Sequence, residues 1–124
     1  MPKILIIEDE KPLQRALVDK FNRRGFTTLK ANNGLEGLNL LQEHLPDIIL
    51  LDIFMPVMGG LNFLNKINED KTLRGIPIFV LSNSDENKII ISASLKGCDD
   101  YLNKSKYSLS DIVDKVERKL KTIR

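Results

Sequence analysis

Hydrophobic residues alternate along the chain between short unbroken runs and stretches with helical spacing. The runs within residues 4–7 and 47–51 have no polar alternation, which is typical of strands buried on both faces of a parallel sheet. A third run spans residues 76–81 and has Pro77 near its start, where a missing N–H matters least. Weaker patterns predict strands over residues 26–30 and 100–103, which gives five strands in all.

Each predicted strand is followed by apolar residues recurring every three or four positions, the spacing of an amphipathic helix. Pro12 suits the first turn of helix 1, and Gly25 suits its end. Ser84 is expected to cap helix 4 over residues 85–95, although three consecutive isoleucines there favour a strand by propensity. Pro46 is expected to end helix 2. The predicted core positions of helices 2, 3 and 5 are Leu35, Leu38, Leu41, Leu45, Leu61, Leu64, Ile67, Leu109, Ile112, Val113, Val116, Leu120 and Ile123.

Five strand–helix units predict an α/β fold in which a five-stranded parallel sheet carries helices on both faces. The expected strand order is the flavodoxin-like 2-1-3-4-5. In such a sheet, ligands bind outside the carboxyl ends of the strands, where the order switches between strands 1 and 3. That edge is where functional residues are expected.

Length and composition narrow the class of protein. A chain of 124 residues that is 42% hydrophobic suits one domain over residues 1–124. The longest apolar runs have four residues, so we expect no membrane-spanning segment. The absence of a signal-peptide pattern and the lone Cys98 favour a cytoplasmic setting. A net charge of +2 gives no support to direct nucleic-acid binding.

Charged and hydroxyl side chains follow the predicted strands. Glu8, Asp9 and Glu10 follow strand 1, Asp52 follows strand 3, Ser82 ends strand 4, and Lys104 follows strand 5. Converging carboxylates repel one another at a cost of about 4 kcal/mol per pair at close range. They therefore need a cation, and an oxygen-only ligand set suits Mg²⁺.

With Mg²⁺ and Lys104 present, this edge would attract the oxygens of a transferring phosphoryl group. Asp52 is the best candidate for a carboxylate nucleophile because it directly follows a fully apolar strand. Ser82 is placed to donate a hydrogen bond to the added phosphate. The strand ends thus predict an acyl-phosphate site.

Four segments in order resemble the response-regulator receiver domain of two-component signalling, over essentially the whole chain. The segments are residues 4–10 (ILIIEDE), 51–60 (LDIFMPVMGG), 79–82 (FVLS) and 97–104 (GCDDYLNK). The resemblance implies that Asp52 is the phosphoacceptor and that Asp9 binds Mg²⁺ directly and Glu8 through water. It adds the backbone carbonyl of Phe54 as a further Mg²⁺ ligand.

The resemblance also implies that Lys104 contacts the phosphoryl oxygens, that Ser82 turns toward them on activation, and that the rotamer of Tyr101 follows Ser82. A histidine kinase or phosphotransfer protein would supply the phosphoryl group. The face of helix 4, strand 5 and helix 5 would carry the signal to a protein target or an effector domain, or form a dimer. We expect no catalysis on a diffusible substrate, only self-phosphorylation from acyl phosphates and self-dephosphorylation.

Three residues depart from the family pattern. Ser105 replaces the proline that usually follows the lysine, and Asn83 is larger than the small residue that usually follows the switch hydroxyl. Phe54 lies at a variable position, and its bulk is expected to shield the acyl phosphate from water and slow dephosphorylation.

Other functions fit the strand ends less well. A haloacid-dehalogenase-type phosphatase needs a second Asp where this chain has Phe54. A flavodoxin-like cofactor site needs a phosphate-cradling loop after strand 1, where the three acids at residues 8–10 would repel phosphate. The remaining alternative is a phosphorylation-independent interaction module on a receiver scaffold.

Overall fold

Five strands and five helices alternate along the chain in a computed structural model that describes residues 1–123. The strands form one parallel sheet in the order β2-β1-β3-β4-β5, which confirms the predicted α/β fold and strand order. The elements are β1 (Lys3–Ile7), α1 (Lys11–Arg23), β2 (Thr27–Ala31), α2 (Gly34–Leu41), β3 (Ile48–Leu51), α3 (Gly60–Asn68), β4 (Ile78–Ser82), α4 (Asn87–Leu95), β5 (Asp100–Asn103) and α5 (Leu109–Ile123).

Two hydrophobic cores cover the two faces of the sheet. Alternate residues of β1 point to opposite faces, so Ile4 and Ile6 pack with α1 and α5. Leu5 and Ile7 pack on the other face with residues of α2, α3 and α4. All of β3 is buried, as the unbroken apolar run predicts. The two cores fix the positions of the central strands, and with them the positions of the residues that follow their carboxyl ends.

The predicted ends of helix 1 are confirmed. Pro12 lies in the first turn of α1, and Gly25 follows the helix with a left-handed φ of 88°, a conformation that glycine adopts at low cost. β2 and β4 begin one and two residues later than predicted. Pro77 therefore precedes β4, and its carbonyl accepts a hydrogen bond from Ile49 N at 3.0 Å.

The prediction for helix 2 is wrong at its C-terminal end. The helix ends at Leu41, five residues before Pro46, and Leu45 is 59% exposed. Leu35 is also 44% exposed. Leu41 is buried as predicted, Leu38 packs against the same core, and the rest of the buried face is made by Gly34 and Gly37. A Cβ on Gly37 would lie 2.6 Å from Ile7 Cδ1, so the absence of a side chain lets α2 pack directly on β1.

The prediction for the start of helix 4 is also wrong. The helix begins at Asn87 rather than at residue 85, and its N-cap residue, Glu86, makes no side-chain cap. Ser84 does not cap it, because its hydroxyl accepts a 3.3 Å hydrogen bond from Glu86 N in the turn before the helix. The isoleucine-rich segment is helical, as expected. At the end of α5, Ile123 is 55% exposed and does not belong to the core.

Among residues 1–123, no helix combines the length and the hydrophobicity that crossing a bilayer requires.

Candidate functional site

The acidic residues predicted to converge are brought together at the carboxyl edge of the sheet. Ile7 and Leu51 are paired at the ends of β1 and β3, and Asp52 N donates a 3.0 Å hydrogen bond to the Ile7 carbonyl. Glu8, Asp9 and Asp52 each have a carboxylate oxygen within 4.8 Å of the others'. This oxygen-rich arrangement can hold a divalent cation.

The Asp52 carboxylate is held by a backbone amide of its own loop and by a lysine of the loop after β5. Asp52 is 5% exposed, and its Oδ1 accepts a 2.8 Å hydrogen bond from Ile53 N. Its Oδ2 lies 3.3 Å from Lys104 Nζ. Burial raises the pKa of Asp52 above its usual value, although Lys104 acts in the opposite direction. The carboxylate is therefore desolvated and lies beside a fixed positive charge, as an activated nucleophile requires.

Lys104 binds three carboxylates at once. Its side chain is 9% exposed, and Nζ lies 2.9 Å from Glu8 Oε1, 3.3 Å from Asp52 Oδ2 and 3.4 Å from Glu10 Oε1. Burial alone would lower the pKa of Lys104, but the neighbouring carboxylates outweigh it and raise that pKa above its usual value. The ammonium group consequently stays charged.

Glu8 carries the clearest sign that a cation belongs here. It is 2% exposed, and burial is the main cause that raises its pKa from 4.5 to about 7. Its Oε2 accepts a hydrogen bond from Glu10 N at 3.0 Å. Its Oε1 forms a 2.9 Å ion pair with Lys104 Nζ and has no further donor, so part of its acceptor capacity is unused inside the protein. A buried carboxylate oxygen left in this state fits a metal ligand.

Ser82 and Tyr101 lie beside the acidic cluster rather than in it. Ser82 is fully buried, and its Oγ accepts a 3.2 Å hydrogen bond from Ser84 N. The half-buried Tyr101 donates its hydroxyl to the Ser84 carbonyl at 2.8 Å. The two predicted switch residues are thus linked through the backbone of one residue, Ser84.

The loop after β3 folds back on Asp52. Val57 has a φ of 69°, a left-handed conformation that is rare for a β-branched residue, and Met58 N donates to the Pro56 carbonyl at 2.8 Å. A Cβ on Gly60 would lie 2.3 Å from the Asp52 carbonyl oxygen, so α3 starts against the backbone of Asp52. Phe54, whose carbonyl is the predicted metal ligand, lies in this loop and is 61% exposed.

The loop after β5 is held by hydrogen bonds of Ser105, the residue that replaces the proline usual in the family. Ser105 donates from its backbone N and its Oγ to Asn103 Oδ1, at 2.9 Å and 2.6 Å. Lys104 N donates to the Ser82 carbonyl at 2.9 Å. These bonds fix the backbone of Lys104 against the end of β4.

Sequence reasoning missed Gln14, a buried residue of α1 that supports the site. Its Nε2 donates to the Glu8 carbonyl at 2.7 Å and to the Ala31 carbonyl at 3.1 Å. The available signal was a polar residue at position 14 on the helical face that also carries Leu17 and Phe21. Such a residue on an apolar face needs buried partners.

Comparison with known proteins identifies the family. The family model described as the response regulator receiver domain matches residues 4–117. The polar-differentiation response regulator DivK of Brucella anthropi is 35% identical over 109 residues, which cover 84% of this chain and 85% of that protein. The probable transcriptional regulator ycf29 of Pyropia yezoensis is 35% identical over 102 residues, but the match spans only 46% of its length.

Solved structures show the same architecture. The receiver domain of the Francisella response regulator 1452 superposes with a TM-score of 0.90 at 28% sequence identity and covers 100% of both chains. The Mn(2+)-bound form of response regulator Rcp1 gives a TM-score of 0.80 at 26% identity and covers 94% of this chain and 90% of that one.

Proposed function

The chain belongs to the response regulator receiver domain family, and from this premise we propose that Asp52 accepts a phosphoryl group from a histidine kinase or a phosphotransfer protein. The observation that carries the proposal is the contact of Asp52 Oδ2 with Lys104 Nζ at 3.3 Å, beside the cluster of Glu8, Asp9 and Asp52. A buried carboxylate next to a permanent cation supports nucleophilic attack on phosphorus.

In the proposed transfer, a carboxylate oxygen of Asp52 attacks the phosphorus of a phosphohistidine. The new O–P bond forms as the P–N bond breaks, and its electron pair goes to the imidazole nitrogen of the donor. Lys104 stays protonated and contacts the transferred oxygens, where it stabilises the negative charge that they carry. The ionised form of Asp52 is the nucleophile, and the neighbouring ammonium favours that form.

We propose Mg²⁺ as the cofactor, held by Glu8, Asp9, Asp52 and the backbone carbonyl of Phe54. The unused acceptor capacity of the buried Glu8 Oε1 supports a bound cation, and the all-oxygen donor set supports Mg²⁺ over softer metals. When bound, the ion would neutralise the crowded carboxylates and the charge on the phosphoryl oxygens. The Mn(2+)-bound form of the related Rcp1 supports a divalent cation in this fold.

We propose that the signal leaves through Ser82 and Tyr101 to the face formed by α4, β5 and α5. Both side chains bond to the backbone of Ser84, so turning Ser82 toward a phosphoryl group frees the Ser84 amide and disturbs the partner of Tyr101. The output is binding to a protein target or an effector domain, or dimerisation, rather than catalysis on a diffusible substrate. The proposal takes residues 1–124 as one receiver domain acting in the cytoplasm.

Intact-mass measurement after incubation with Mg²⁺ and acetyl phosphate tests the assignment. We expect one added phosphoryl group on the wild-type chain and none on Asp52→Asn. Asp47→Asn, at the exposed opposite end of the same strand, is the matched control and should be labelled like the wild type. Label that persists in Asp52→Asn would overturn the assignment. Equal partner binding with and without beryllofluoride would favour the phosphorylation-independent interaction module.

A further inference from the structure

Glu10 is an acid at the site that neither the metal cluster nor the phosphoacceptor role uses. Its Oε1 lies 3.4 Å from Lys104 Nζ. Its side chain is 56% exposed, whereas the side chains of Glu8 and Asp52, which also contact Lys104, are 2% and 6% exposed. Glu10 therefore contacts the ammonium from the solvent side, the side from which a phosphoryl donor must approach.

The contact with Lys104 is the hydrogen bond that the Glu10 side chain makes. Glu10 is the N-cap residue of α1, but its side chain makes no cap hydrogen bond. The bonds that fix its position come from its backbone, because its N donates to Glu8 Oε2 and its carbonyl accepts from Gln14 N. A change confined to the Glu10 carboxylate leaves these bonds in place.

We propose that Glu10 is a positioning residue that holds Lys104 before phosphorylation and opposes the entry of anionic phosphoryl donors. The inference rests on the proposed function of Asp52. A lysine ammonium has three N–H donors, and Glu10 occupies one that the transferred phosphoryl group needs. Its negative charge also repels the oxygens of the incoming group.

The step that Glu10 opposes is attack of Asp52 on the phosphorus of a donor. With acetyl phosphate, an O–P bond to Asp52 forms as the P–O bond to the acetyl group breaks, and acetate leaves with the electron pair. For Lys104 to bind the transferred oxygens, its contact with Glu10 must open. Glu10 thus raises the barrier to transfer and lowers the stability of the phosphorylated state.

The test compares initial labelling rates with acetyl phosphate and Mg²⁺, followed by intact mass. Glu10→Gln keeps the size of the side chain and removes its charge, and we expect labelling about two- to fivefold faster. Glu10→Asp keeps the charge but withdraws the carboxylate from Lys104, so its rate should fall between those of the wild type and Glu10→Gln. Glu43→Gln removes an exposed charge just after α2 and should leave the rate unchanged.

Ionic strength separates an electrostatic role from a structural one. Raising it from about 0.05 M to about 0.5 M should bring the rates of the wild type and Glu10→Gln together, since salt screens a half-exposed charge. If the wild type and Glu10→Gln are labelled at equal rates at low salt, or if Glu10→Gln changes only the urea midpoint, the inference is overturned while the Asp52 assignment stays intact. A wild-type chain that takes no label on Asp52 would overturn both.

Discussion

Gln14 Nε2 donates a 2.7 Å hydrogen bond to the backbone carbonyl of Glu8. The same amide group donates to the Ala31 carbonyl at 3.1 Å, and so ties α1 to the carboxyl ends of both β1 and β2. Gln14 is 2% exposed, so water does not compete for these bonds. The strand end from which Glu8 and Asp9 project is therefore held by a side chain of the following helix.

Replacing Gln14 should damage both stability and the site. Gln14→Ala leaves the buried Glu8 carbonyl without a donor, whereas the Ala31 carbonyl keeps its hydrogen bond from Glu8 N. We expect the free energy of unfolding in urea to fall by about 2–4 kcal/mol. Phosphorylation of Asp52 should slow as the Glu8 backbone loses its anchor. Gln42→Ala, at an exposed position after α2, should change stability by less than about 0.5 kcal/mol. Equal losses in the two variants would contradict this role for Gln14.

Gly60 is expected to tolerate no side chain because α3 begins against Asp52. A Cβ there would lie 2.3 Å from the Asp52 carbonyl oxygen and 2.9 Å from Ile53 Cα. We expect Gly60→Ala to lower the free energy of unfolding by about 1–3 kcal/mol and to slow labelling by acetyl phosphate. Gly75→Ala meets no atom within 4 Å and should behave like the wild type. A Gly60→Ala variant with wild-type stability and labelling would show that the loop can shift freely.

The sheet could be predicted from the sequence because its central strands are unbroken apolar runs. An unbroken apolar run such as residues 48–51 is typical of a strand buried on both faces, and parallel pairing then fixes the edge at which Asp52 emerges. The positions of Glu8, Asp52 and Lys104 at one edge follow from topology alone. Their distances do not, since these depend on how each side chain is packed.

The ends of α2 and α4 and the role of Gln14 could not be predicted, because they depend on tertiary contacts that a local sequence pattern does not show. The leucines at positions 35 and 45 continue the helical spacing of α2, yet the helix packs on β1 through Gly37 and ends at Leu41. Ser84 has the right chemistry for a cap, but its hydroxyl bonds within a turn that precedes the helix, and α4 begins two residues later than expected. The role of Gln14 in supporting the site is evident only in the folded chain, where the two carbonyls that it binds lie beside it.

Phe54 is expected to set the lifetime of the acyl phosphate. It lies two residues after Asp52 and is 61% exposed, so its apolar ring is free to lie over a phosphoryl group and limit the approach of attacking water. We expect the phosphorylated Phe54→Asn variant to lose its label severalfold faster than the wild type, measured by intact mass after removal of the donor. Phe54→Leu keeps an apolar side chain and should decay slowly. An unchanged rate in Phe54→Asn would contradict shielding.

The raised pKa of Glu8 makes the stability of the metal-free chain depend on pH. The carboxyl titrates at about 7 in the folded chain and at 4.5 in a solvated reference, so the folded state binds more protons across this interval. Stability therefore falls as pH rises from 4.5 through 7. In urea titrations with EDTA, we expect the free energy of unfolding to drop by about 2 kcal/mol between pH 5 and pH 7.5. Burial of Asp52 raises its pKa as well and acts in the same direction.

A variant without the Glu8 charge isolates its share of this pH dependence. In Glu8→Gln, the free energy of unfolding should fall less steeply between pH 5 and pH 7.5, because the amide stays neutral at every pH. Glu43→Gln should keep the wild-type dependence on pH. Adding Mg²⁺ at pH 7.5 should restore stability to the wild type, since a cation favours the ionised carboxylates, and should restore less to Glu8→Gln. If Glu8→Gln and the wild type have the same slope, Glu8 is not the group that titrates, and the Mg²⁺ response then has to come from Asp9 and Asp52 alone.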